Sequence, residues 1–119
     1  MDKDFIQYTE ALELKQLGFD EPCFGWFRNT EFTISFNDLY QNRKSKIKII
    51  AAPTYSQAFR FFREKHGLYP DIYRIGKKFN AGIEDMNIGS SKEMVVEGVD
   101  YEEAELACLR QLIKILKNK

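Results

Sequence analysis

The sequence predicts an α+β domain: a mainly antiparallel sheet of hairpins with three helices packed on one sheet face, in the order α-β-β-(β)-α-β-β-β-α. Two observations carry this reading. Three segments open with one local code, YTEA at 8–11, YSQA at 55–58 and YEEA at 101–104, and each starts a stretch with helical character. Between them lie short runs rich in aromatic and β-branched residues, set in pairs around tight turn signals. The triple code marks a recurring helix start and not a duplication, because the residues that follow do not match.

The first helix is expected over residues 8–17, ending at Gly18, a natural residue for a left-handed helix end. Gln7 is a poor cap, and Ala11, Leu12, Leu14 and Leu17 make only a loose stripe. CFGWFR and EFTISF then flank Asn29-Thr30 as a hairpin, with Phe32, Ile34 and Phe36 alternating against Thr33 and Ser35. KIKII at 46–50 alternates in the same way and runs into Pro53. The second helix is expected over residues 55–66, with a capping box from Thr54 and Gln57 and a stop at Gly67. Tyr55, Ala58, Phe59, Phe62 and His66 form its apolar face, with Arg60, Arg63 and Glu64 opposite.

DIYRI and FNAGIE form a second hairpin around 76–78, and EMVVE at 93–97 adds a strand after the turn at 89–91. The third helix covers residues 101–117. Asp100 and Glu103 stand at capping-box spacing, acids fill its first turns, and Lys114 and Lys117 lie at its end, as the helix macrodipole favours. It carries two adjoining apolar stripes. Tyr101, Ala104, Cys108, Leu112 and Ile115 make one; Leu106, Leu109, Ile113 and Leu116 make the other. The second needs cover from the first helix, through Leu14 and Leu17, or from a second copy. A monomer is expected over a homodimer.

Composition narrows the function classes. A chain of 119 residues with 44% hydrophobic and 30% charged residues is expected to be one globular domain, 1–119, and neither disordered nor fibrous. The 18 basic and 18 acidic residues cancel, so no global field draws in nucleic acid or an anionic membrane. Cys23 and Cys108 are far apart and outside any CxxC pattern, which points to two free thiols in a reducing compartment. The acidic N-terminus does not read as a signal peptide, and the longest apolar run, IIAAP, is far too short to span a bilayer. The expected location is the cytoplasm, with no membrane partner.

No constellation of catalytic residues is visible. His66 is the only histidine, and no ligand-spaced cluster surrounds it, so neither metal nor cofactor is expected. The turn Gly89-Ser90-Ser91-Lys92 lacks the glycine spacing of a phosphate loop. Charge is nevertheless uneven: residues 43–78 hold ten basic and two acidic side chains, between acidic flanks. Arg43, Lys44, Lys46, Lys48, Arg60 and Arg63 are therefore the candidate binding residues, an anion-facing patch for nucleic acid or an acidic protein. The bland reading of this block is a solvated face neutralised on folding. FRFFREK interleaves aromatic and basic residues, but Phe59 and Phe62 are needed for the core, leaving Phe61 alone to stack on a base.

Three stretches, ALELKQLGFDEPCFGWF, APTYSQAFRFFREKHGLY and YEEAELACLRQLIKI, resemble an uncharacterised family of short phage, prophage and mobile-element proteins of Bacteroidetes. The resemblance covers both ends and the middle of the chain. It implies a small accessory protein working inside a bacterial cell, and it transfers no site residue. The reading is a non-enzymatic interaction protein with an unidentified protein partner. The alternative is a nucleic-acid-binding module using the basic block 43–63.

Overall fold

The computed structural model describes residues 2–35, 37, 39–42, 49–89 and 92–119. Among these, a 3-10 turn (Asp2–Asp4) precedes α1 (Tyr8–Gln16), β1 (Gly25–Arg28), β2 (Glu31–Ile34), β3 (Ile49–Ala52), α2 (Tyr55–His66), β4 (Leu68–Ile75), β5 (Lys78–Asp85), β6 (Lys92–Val99) and α3 (Tyr101–Lys117). The α+β class and the element order are those read from the sequence. The strands form two antiparallel sheets of three, β2-β1-β3 and β4-β5-β6. The chain divides into two compact units, residues 1–57 and 58–119, with the boundary after the first turn of α2.

In the first unit, α1 ends in a Schellman motif. Gly18 takes φ +92°, its N–H donates to Lys15 O, and the Phe19 N–H donates to Leu14 O. Phe19 and Leu14 are both buried, the apolar contact that accompanies this motif. The buried residues of α1 are Glu10, Ala11 and Leu14; Leu12 and Leu17 of the expected stripe are only half-buried. Asn29, at φ +57°, turns the chain between β1 and β2, a conformation asparagine tolerates. Phe27 pairs with Phe32 across that hairpin, and Phe5 and Tyr8 pack on them at ring distances of 5.2 and 5.6 Å.

Gly25 sits beneath this aromatic cluster. A Cβ there would stand 2.9 Å from both Phe5 and Phe32 and 3.0 Å from Ala52 O. The buried Asn42 braces β3, accepting from Ala51 N at 2.9 Å and donating to Phe19 O at 2.8 Å. The capping box of α2 forms as expected: Thr54 Oγ1 accepts from Gln57 N at 3.2 Å, and Gln57 Oε1 from Thr54 N at 3.3 Å.

The second unit is a meander covered by a helix. β4 and β5 pair without interruption from Leu68↔Asp85 to Ile75↔Lys78, and Gly76 turns the two-residue loop at φ +65°. The β5–β6 register shifts around Ala81. Phe79, Ala81 and Ile83 share one face of β5 by strand alternation. Tyr101 of α3 meets Phe79 on that face at 5.2 Å. The opposite face carries Tyr73, Asp71, Met94 and Lys92. Lys92 pairs with Asp71 and lies 4.8 Å from the centre of the Tyr73 ring.

Three details of the helices differ from the sequence reading. In α2, Phe61 is buried at 4% exposure beside Phe62, while Phe59 is half-buried, so the apolar face is rotated. The two stripes of α3 merge: Ala104, Cys108, Leu109, Leu112 and Ile113 are buried together, a face about 180° wide on a 3.6-residue wheel. Asp100 stands at the N-cap of α3 but makes no side-chain cap bond. Its carboxylate instead faces Lys78 Nζ at 3.5 Å.

Candidate interaction site

Of the sequence-predicted binding residues, Arg43, Lys44, Lys46 and Lys48 lie outside the described residues. Arg60 is exposed and Arg63 half-buried on successive turns of α2. Phe61, expected to be free for stacking, is part of the core. Phe59 stays half-buried in its place, which still falls short of the several exposed rings that single-strand binding uses.

What the fold assembles instead is a corner at one end of the second unit. The last turn of α2 carries Arg63, Lys65 and His66. The chain then reverses at Gly67, φ +65°, and enters β4. The loop after β5 is fastened to this helix end by two bonds: Met86 N–H donates to Gly67 O at 2.9 Å, and Asn87 Nδ2 donates to His66 O at 2.8 Å. Asp85 closes the loop on itself, accepting from the Asn87 backbone N–H and side-chain amide, both at 2.9 Å. The end of α3 arrives at the same place, with Lys119 Nζ 3.6 Å from the Asp85 carboxylate and Lys114 and Lys117 in its last turn.

The electrostatics follow from this assembly. Backbone donation from Asn87 is the main cause holding the Asp85 carboxyl below its usual range. Partial burial, and then the Lys119 charge, push His66 below its ordinary value. The histidine therefore favours its neutral form, the reverse of the stabilised cation expected from the helix end alone.

Two apolar side chains project from the fastened loop. Met86 is 56% exposed, and Ile88, at 84%, is the most exposed large hydrophobic among the described residues. Sequence reasoning missed both because the surrounding residues read as a plain turn. The available signal was an apolar pair in EDMNIGSS that belongs to no strand alternation.

Nucleophilic chemistry has little foothold. Cys23 and Cys108 are buried, and burial is the main cause raising each thiol to about 12, so neither supplies a thiolate near neutral pH. Among the described residues, no three His, Cys, Asp or Glu side chains are grouped to hold a metal ion. No described helix is long and apolar enough to cross a membrane. No family profile, curated protein sequence or solved structure matches the chain.

Proposed function

We propose that this chain is a non-enzymatic accessory protein of a phage or mobile element, acting through protein–protein contacts in the cytoplasm of a bacterial cell. The corner formed by the α2 end, the β5–β6 loop and the α3 end is its contact surface. One observation carries the reading: Met86 and Ile88 stand in solvent on a loop that hydrogen bonds fasten to a helix end. An apolar pair held out in this way is preorganised for burial by a partner and loses little further entropy on binding. Methionine adapts its shape to what it meets, and the Lys119–Asp85 pair beside the loop is polar surface at its edge.

Site-specific photocrosslinking tests this. A photoreactive residue at position 88 is expected to give protein adducts in host lysate, and one at position 77, on the β4–β5 turn, is not. Equal labelling from both positions, or adducts only to nucleic acid, would refute the reading.

A further inference from the structure

We draw no further inference here: the strongest candidate, the face of the β4-β5-β6 sheet opposite α3, where the exposed Tyr69 and Met94 share a surface with the Lys92–Asp71 pair, carries nothing because nothing in the structure shows what covers it.

Discussion

The side-chain amide of Asn87 closes the end of α2, donating to the carbonyl oxygen of His66 at 2.8 Å. A carbonyl in the last turn of a helix has no partner within the helix, and here a residue of the β5–β6 loop supplies one. The same amide donates to Asp85 and lies within 3.2 Å of where a Cβ on Gly67 would stand. One side chain thus joins a helix end to the loop that presents Met86 and Ile88.

Replacing Asn87 by alanine removes these bonds. A loss of roughly 1 kcal/mol is expected, the net worth of an ordinary hydrogen bond. The midpoint of urea unfolding measures it, and amide exchange in the β5–β6 loop is expected to quicken in the same variant.

The two expected capping boxes differ in the structure, and their alanine variants separate accordingly. Thr54→Ala breaks the formed box of α2 and is expected to cost about 1 kcal/mol. Asp100→Ala removes no cap bond, only an exposed pair with Lys78, and is expected to shift the unfolding midpoint by less. Equal shifts would mean that the α3 cap forms in solution.

Neither thiol is expected to react with a disulfide reagent in the native state at mildly alkaline pH, because both are buried and raised to about 12. In denaturant, titration is expected to find two equivalents. Rapid native labelling would contradict the burial of Cys23 or Cys108.

Gly25→Ala is expected to destabilise the first unit by roughly 1–3 kcal/mol, the usual cost of overpacking. The added methyl meets two aromatic rings at 2.9 Å and a backbone oxygen at 3.0 Å, and that oxygen lies in the paired strand β3. Thermal unfolding by circular dichroism reads the loss.

The direction of the His66 shift sets a pH dependence. Its folded-state value lies below the ordinary 6.5, so the unfolded chain binds the proton more readily. The associated stability is complete above 6.5 and is lost as pH falls through the folded value. The charge of Lys119, two residues past α3, acts on the imidazole, and Asp85, whose carboxyl is held below its ordinary value, keeps its charge through this window. Melting temperature is expected to drop between about pH 7.5 and about pH 5.5, and His66→Gln to flatten that drop. An unchanged slope in the variant would assign it to other groups.

Local chemistry made much of the fold legible in the sequence. Gly18 and Gly67 ended helices where predicted, because only a residue free to take positive φ suits those ends. Thr54 and Gln57 marked the start of α2, because a capping box is closed by residues three apart. Alternation and turn residues located both hairpins, and the order of elements followed.

Tertiary structure decided what depends on distant partners. The strands separate into two sheets because pairing is set by which edges meet, and no single strand encodes that choice. Asp100 gave up its cap for a place beside Lys78, a residue made close only by the sheet. In α2, Phe61 went into the core and Phe59 stayed half-buried, because burial of adjacent aromatics is settled by the space around the helix and not by its period. The candidate site was the least legible part. Met86, Ile88, His66 and Lys119 are spread over three elements and read singly as a turn, a helix end and a tail, and only the crossing of the meander back to the end of α2, with α3 returning beside it, sets them side by side.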